Sequence, residues 1–179
     1  VLGHAQDVSE LREAQQRLTQ LAMTDDLTGL HNRRGFLSYG ARTLADAASH
    51  EKTTAIIYAD IDGLKRVNDS FGHEAGTALI LGAADVLKNS FRAADVLARI
   101  GGDEFVALAT VSQPDADTIT NRLKWHLDKF NATSGLPYQL ALSFGMAHWE
   151  PGSAQSLEDL VREADAIMYE NKRRGQHSL

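Results

Sequence analysis

From Thr53 onward, the order of apolar segments constrains the fold more than any other feature of the sequence. A short β-branched and apolar run from Thr53 to Ala59 ends abruptly at Asp60, which predicts a buried strand. Two further apolar runs flank Gly101-Gly102 and predict a hairpin. The remaining segments predict a helix over Glu74 to Phe91, a helix opened by Pro114 and a strand over Tyr138 to Trp149.

The predicted order is strand, helix, strand, strand, helix, strand, which is the ferredoxin-like β-α-β-β-α-β arrangement of an α/β (α+β) fold. We expect the first and second strands to lie side by side at the sheet centre, with the end of strand one near the hairpin. Additional helices flank this unit. Asn32 caps one, which is expected to place six apolar residues on one side: Phe36, Leu37, Ala41, Leu44, Ala45 and Ala48. A capping box of Ser156 and Asp159 begins the last helix.

Residues 1–22 are predicted to be a linker preceding a domain of residues 23–179. A helix from Ser9 to Ala22 places apolar side chains at spacings of three, four and three: Leu11, Ala14, Leu18 and Leu21. That spacing is typical of a coiled-coil seam. Two interpretations stay open, a helix packed on its own domain and a two-stranded connector from an upstream domain.

Composition limits the partners of this chain. Its 24 acidic and 18 basic residues give a net charge of −6, which argues against sequence-independent binding to nucleic acid or to an anionic membrane. The absence of Cys excludes disulfides and thiolate sites. No apolar run approaches the ~20 residues of a membrane span. We expect a soluble, cytoplasmic segment of a longer chain, which could be anchored in a membrane upstream.

Two acidic pairs are predicted to meet at one end of the sheet. Asp60 and Asp62 follow strand one, and Asp103 and Glu104 lie on the hairpin tip. Neighbouring carboxylates raise one another's pKa unless a cation lies among them, and hard oxygen ligands suit Mg²⁺ or Mn²⁺. Lys65 lies close by in sequence and could face phosphates. The alternative is that both pairs are solvated turns.

Four motifs in the right order resemble the GGDEF domain family of diguanylate cyclases. The hairpin carries Arg99-Ile-Gly-Gly-Asp-Glu-Phe105, preceded by Asp25-Asp-Leu-Thr-Gly-Leu-His-Asn-Arg-Arg34 and by Asp60-Ile-Asp-Gly-Leu-Lys-Arg-Val-Asn-Asp-Ser-Phe-Gly-His73. The last helix ends in Lys172-Arg-Arg-Gly175. The resemblance covers about Met23 to Gly175.

This resemblance implies a cyclase that joins two GTP molecules into cyclic di-GMP with loss of pyrophosphate. It assigns two divalent metals per active site to Asp60, the Ile61 carbonyl and Asp103. Glu104 completes the acidic edge, and Asp103 or Glu104 helps to deprotonate the ribose 3′-OH. The triphosphate is assigned to Lys65, Lys172 and the backbone N–H groups of Gly63 and Leu64. Guanine is assigned to Asn68.

The resemblance also implies partners and regulation. A symmetric product suits a homodimer, each chain presenting one GTP, and the first ten residues resemble the exit of a PAS sensor domain. Arg92 and Asp95 resemble the R-x-x-D inhibitory site that binds product cyclic di-GMP, where Arg suits bidentate contacts to guanine and phosphate. The alternative for this segment is an ordinary helix-to-strand loop.

Three positions depart from the family pattern. Thr77 stands where an Asp usually accepts hydrogen bonds from guanine, and a neutral hydroxyl is a weaker acceptor. Gln176 replaces a common Arg, and Leu64 replaces a frequent Phe. Thr77 leaves open a cyclase of relaxed base choice that makes cyclic GMP-AMP. A further alternative is an inactive module that binds nucleotide or cyclic di-GMP.

Overall fold

The computed structural model describes residues 22–111 and 116–174. The predicted helix at Ser9–Ala22, apart from Ala22 itself, lies outside these residues, as do Pro114, Gly175 and Gln176. The secondary structure runs in this order: α1 Arg33–Ser49, β1 Thr53–Ile61, α2 Leu64–Phe71, α3 His73–Ser90, β2 Val96–Arg99, β3 Glu104–Val111, α4 Ala116–Thr133, β4 Leu142–Trp149 and α5 Leu157–Arg173. None of the described helices is long and apolar enough to cross a membrane.

The four strands form one antiparallel sheet in the order β2-β3-β1-β4. The ferredoxin-like arrangement is confirmed, but our placement of β1 beside β2 at the centre was wrong. β1 pairs with β3 and β4, and β2 lies at the edge of the sheet. The hairpin keeps β2 and β3 adjacent, and α3 carries the chain from β1 across β3 to that edge.

Alternating side chains of β1 build two cores on opposite faces of the sheet. Ala55, Ile57 and Ala59 belong to a cluster that α3 and α4 cover. Ile56 and Tyr58 belong to a second cluster, which α1 and α5 cover. The period of two in β-strands produces this division.

Helix α5 lies directly on β4 because Gly145 has no side chain. A Cβ at this position would lie 2.2 Å from the Ala164 carbonyl oxygen and 2.3 Å from the Met168 backbone nitrogen. Real side chains do not approach a backbone so closely, so only Gly permits this packing. The contact brings the C-terminal end of α5 towards the end of β1.

Three local predictions differ from the structure. The last strand begins at Leu142 rather than at Tyr138. Phe36 of α1 is buried as expected, but Ala41, Ala45 and Ala48 are exposed, because the buried face continues through Gly40 and Ala47. A Cβ at Gly40 would lie 2.8 Å from a methyl carbon of Leu157, so Gly40 admits that side chain. Helix α2 was not predicted, since its eight residues are too short for a clear periodicity. It begins after Gly63, whose φ of 72° lies in the left-handed region that favours Gly.

Candidate active site

The register of β1 and β3 brings the two acidic pairs together, as the sequence predicts. Asp60 is the cross-strand partner of Glu104. One residue further along, the Ile61 N–H donates to the Asp103 carbonyl oxygen at 3.0 Å. The end of β1 and the hairpin tip are therefore fixed to each other by backbone hydrogen bonds.

Asp62 is held in this cluster by β4 and the residues before it. Its N–H donates to the Ala141 carbonyl oxygen at 2.9 Å. The buried Ser143 hydroxyl lies 2.9 and 2.8 Å from the two carboxylate oxygens of Asp62. Hydrogen bonds to backbone and hydroxyl groups fix the orientation of a carboxylate, so Asp62 is part of an ordered acidic edge.

Lys172 brings a cation to the same edge from the last turn of α5. Its ammonium donates a hydrogen bond to Asp60 and lies 3.3 Å from an Asp62 oxygen. Burial acts to lower the pKa of Lys172, but Asp60 and then Asp62 outweigh it and raise the pKa. Burial raises the pKa of Asp60, and the charges of Asp103 and Asp62 add to this against the opposing effect of Lys172.

The oxygen atoms available here suit a hard divalent cation whose remaining coordination positions are filled by other oxygens. Asp60 and Asp103 supply carboxylates, and Ile61 lies beside Asp103 through the backbone hydrogen bond. The ammonium of Lys172 also lies against Asp60. Within residues 22–111 and 116–174, no three acidic or imidazole side chains converge on one point. Mg²⁺ commonly takes one or two carboxylates, with waters and substrate phosphates filling its octahedron.

The predicted phosphate-binding segment forms the start of α2. Gly63 is its N-terminal boundary, and no side chain caps this end. The N–H groups of a first helical turn lack partners within the helix and favour anions. Lys65 is exposed there and forms no ion pair with the described residues.

Asn68 lies against α3 at the position predicted for guanine. A Cβ at Gly76 would lie 1.9 Å from the Asn68 side-chain oxygen, so Gly76 provides the space that this amide occupies. The neighbouring Thr77 donates its hydroxyl hydrogen to the His73 carbonyl oxygen at 3.0 Å. Its oxygen therefore keeps its lone pairs as neutral acceptors.

Arg99 and Asp25 support the hairpin, a role that sequence reasoning missed. The Arg99 guanidinium donates to the Gly102 carbonyl oxygen at 2.8 Å and lies 3.2 Å from an Asp25 oxygen. Thr28 donates to Asp25 through both its N–H and its hydroxyl. Burial acts to raise the pKa of Asp25, but the Thr28 hydrogen bonds and Arg99 lower it below its usual range. The motif Asp25–Arg34 could have suggested this pair, since it supplies a carboxylate near the arginine of the hairpin.

Tyr58 is a second partner that sequence reasoning missed. Its side chain is buried, and its hydroxyl donates to Glu104 Oε1 at 2.7 Å. Both residues line a cavity of about 310 Å³ between α1 and α5. Burial, followed by the hydrogen bond to Glu104, raises the pKa of Tyr58 far above its usual value. Nothing in the alternation of β1 distinguishes this Tyr from an ordinary core residue.

Arg92 and Asp95 lie far along the sheet from this acidic edge and form a closed turn. The Arg92 N–H donates to Asp95 Oδ2 at 2.7 Å, and the Asp95 N–H donates to the Arg92 carbonyl oxygen. Burial raises the pKa of Asp95, while Arg92 and Arg122 partly oppose it. Both Arg92 and Asp95 line a cavity of about 420 Å³ with Lys52. Arg122, on α4, was not predicted; its buried Nε has no hydrogen-bond partner among the described residues.

Comparison with known proteins identifies the family. The profile described as "Diguanylate cyclase, GGDEF domain" matches residues 22–178. The chain belongs to the GGDEF family. The GGDEF motif itself, at Gly101–Phe105, lies in the hairpin that joins β2 to β3, beside the end of β1.

Curated GGDEF relatives include two proteins from Pseudomonas aeruginosa. The bifunctional diguanylate cyclase/cyclic di-GMP phosphodiesterase MucR is 34% identical over 170 residues, which cover 94% of this chain and 25% of MucR. The diguanylate cyclase TpbB is 31% identical over 173 residues, covering 95% of this chain and 40% of TpbB. The chain therefore spans well under half of the length of each of these relatives.

A solved GGDEF structure has the same fold. The coiled coil and GGDEF domain of DgcB from Caulobacter crescentus, in complex with cyclic di-GMP, is 28% identical with a TM-score of 0.83. The match covers 97% of this chain and 93% of that one.

Proposed function

We propose that this GGDEF domain is a diguanylate cyclase that condenses two GTP molecules into cyclic di-GMP. The observation that carries the proposal is the pairing of Asp60 with Glu104 across β1 and β3, with Asp103 and Lys172 beside it. Each ribose 3′-oxygen forms a bond to the α-phosphorus of the other GTP, and the bond from that phosphorus to pyrophosphate breaks. Two such steps release two pyrophosphates.

We assign the divalent metal, Mg²⁺ or Mn²⁺ with two ions per site, to Asp60, the Ile61 carbonyl and Asp103. When bound, the metal neutralises charge on the phosphate oxygens as the leaving group departs. Glu104 or Asp103 accepts the proton of the attacking 3′-OH. Ionised carboxylates are suitable acceptors near neutral pH when they are within hydrogen-bond reach of the hydroxyl.

The triphosphate is assigned to the start of α2 and to the end of α5. Gly63 and Leu64 present backbone N–H groups, and Lys65 and Lys172 present ammonium groups. Positioning and cations account for most of the catalysis in phosphoryl transfer, so these residues orient the α-phosphate for in-line attack. Asn68 and Thr77 receive guanine at the contact between α2 and α3.

Catalysis needs two sites facing each other, so we infer a homodimer. The coiled-coil spacing of Leu11, Ala14, Leu18 and Leu21 in the sequence supports this, as does the match to a DgcB structure that includes a coiled coil. An upstream sensor domain would act through that segment. We assign product inhibition to Arg92 and Asp95, since the cavity there combines cations with a hydrogen-bonded carboxylate.

The test is product analysis by mass spectrometry. The chain, freed of bound cyclic di-GMP, is incubated with GTP and Mg²⁺ or Mn²⁺. We expect cyclic di-GMP and a loss of roughly 10²–10³-fold in rate for Asp103→Asn, since removal of one electrostatic group from such a site costs that much. Asp128→Asn, which neutralises an exposed carboxylate on α4, is the control. The proposal fails if neither metal supports cyclic di-GMP formation.

A further inference from the structure

The carboxylate of Glu104 has an unusual environment for a group at the hairpin. On one side it receives the Tyr58 hydroxyl at 2.7 Å. On another side its Oε2 lies against Gly101, where a Cβ would approach it to 2.1 Å. On a third side lies the cavity of about 310 Å³ that Glu104 and Tyr58 both line. Packing alone therefore does not enclose this side chain, because the cavity leaves space beside it.

The hydrogen bond from Tyr58 constrains the Glu104 side chain where packing does not. No other described side chain donates a hydrogen bond to the Glu104 carboxylate. Tyr58 is only 6% exposed, and a buried phenol needs a partner for its hydroxyl. A hydrogen bond to a charged acceptor is stronger than one between neutral groups. The pair therefore satisfies the buried donor and selects one orientation of the carboxylate.

The Tyr58 hydroxyl acts on Glu104 as a hydrogen-bond donor, at 2.7 Å from Oε1. Its neighbours on the same face, Ile56 and Val106, are apolar, so packing of this layer does not require the hydroxyl.

We propose that Tyr58 is a positioning residue that holds Glu104 against Gly101 in the orientation used for catalysis. Without the hydroxyl, the Glu104 side chain turns into the cavity between α1 and α5. The orientation in which Glu104 accepts the proton, or completes the acidic edge, is then populated for only part of the time. This inference rests on the proposed cyclase activity for its kinetic consequence, but its structural consequence is independent of that activity.

The test compares Tyr58→Phe with Thr54→Val. Both remove one buried hydroxyl from the same face of β1, but the Thr54 hydroxyl has no partner among the described residues. We expect Tyr58→Phe to lower kcat by roughly tenfold, the equivalent of one charge-assisted hydrogen bond, with KM for GTP changed by less than about twofold. Thr54→Val should keep the wild-type kcat. In a Glu104→Gln background, Tyr58→Phe should add less than about a twofold loss.

Crystal structures of the wild type and of Tyr58→Phe provide a readout that needs no activity. We expect the Glu104 carboxylate to leave Gly101 and enter the cavity in the variant. An unmoved carboxylate, an unchanged kcat in Tyr58→Phe, or an equal loss in Thr54→Val would each overturn the inference. A wild-type chain without cyclase activity would instead refute the proposed function, while the crystal structures would still test the positioning of Glu104.

Discussion

Lys172, in the last turn of α5, donates a hydrogen bond to Asp60 at the end of β1, although 112 residues separate them in the sequence. The Lys172 side chain remains 40% exposed, whereas that of Asp60 is only 15% exposed. The ammonium therefore balances the charge of a largely buried carboxylate while keeping access to solvent. Under the proposed function, this ammonium also contacts an incoming phosphate.

Removal of this cation should weaken substrate binding. We expect Lys172→Met to raise KM for GTP by roughly tenfold or more, because a charge-assisted contact to phosphate is worth about 1.5–3 kcal/mol. Steady-state kinetics with GTP measures the change. Lys124→Met, which removes an exposed lysine from α4, is the control and should leave KM unchanged. Equal KM values in the two variants would contradict a role for Lys172 at the triphosphate.

The position of α5 should depend on Gly145. Gly145→Ala places a Cβ against the backbone of Ala164 and Met168, and a helix backbone cannot move aside cheaply. We expect a loss of about 3 kcal/mol in the free energy of unfolding, measured by urea titration. Gly102→Ala is the stability control, since a Cβ there meets no atom within 4 Å. If both variants unfold at the same urea concentration, the close packing of α5 on β4 does not require a glycine at position 145.

The contact between Asp25 and Arg99 should stabilise the fold in a pH-dependent manner. Because the folded pKa of Asp25 lies below its ordinary value of 3.8, its contribution is fully present above pH 3.8. This contribution is lost as the pH falls through the lower pKa that Asp25 has in the folded protein. Below that pKa, Asp25 is protonated in both the folded and the unfolded state. We expect Asp25→Asn to unfold about 1.5 kcal/mol more easily than the wild type at pH 7. Denaturation at several pH values should show this gap narrowing below pH 3.8; a constant gap would contradict the ionic contribution.

Base recognition should respond to Thr77 and to Gly76. We expect Thr77→Asp to lower KM for GTP roughly tenfold, since a carboxylate accepts hydrogen bonds from guanine more strongly than a hydroxyl does. Gly76→Ala should raise KM, because its Cβ displaces the Asn68 amide. Mass analysis of products from a GTP/ATP mixture measures base choice at the same time. A role for Thr77 in guanine recognition would be contradicted if cyclic di-GMP were the sole product and Thr77→Asp left KM for GTP unchanged.

The site around Arg92 and Asp95 should bind cyclic di-GMP independently of catalysis. We expect Arg92→Ala and Arg122→Ala each to raise the dissociation constant by roughly tenfold or more, because each removes a cation from the cavity or from beside Asp95. Isothermal titration calorimetry with cyclic di-GMP measures the change. Arg42→Ala, which removes an exposed arginine from α1, should bind as the wild type does. If Arg92→Ala raises the dissociation constant and Arg122→Ala does not, Arg122 is not part of the site.

Much of the fold and of the acidic edge is predictable from local sequence. The Asn32 cap and the capping box of Ser156 and Asp159 both occur as predicted, since these interactions involve residues three positions apart. The pair of Asp60 and Asp62 meets the pair of Asp103 and Glu104 because of the order of strands and helices along the chain. Helix α2 escaped prediction because eight residues carry little periodicity.

By itself, the sequence determined the strands and every described helix except α2, and which carboxylates reach the end of the sheet, because periodicity and turn residues are local properties. Only the tertiary structure decided that β3 rather than β2 lies beside β1, and that Lys172, Tyr58 and Arg99 reach Asp60, Glu104 and Asp25. These contacts join residues that are far apart in the chain. They depend on how closely the layers pack, as at Gly145, and no local pattern records that distance.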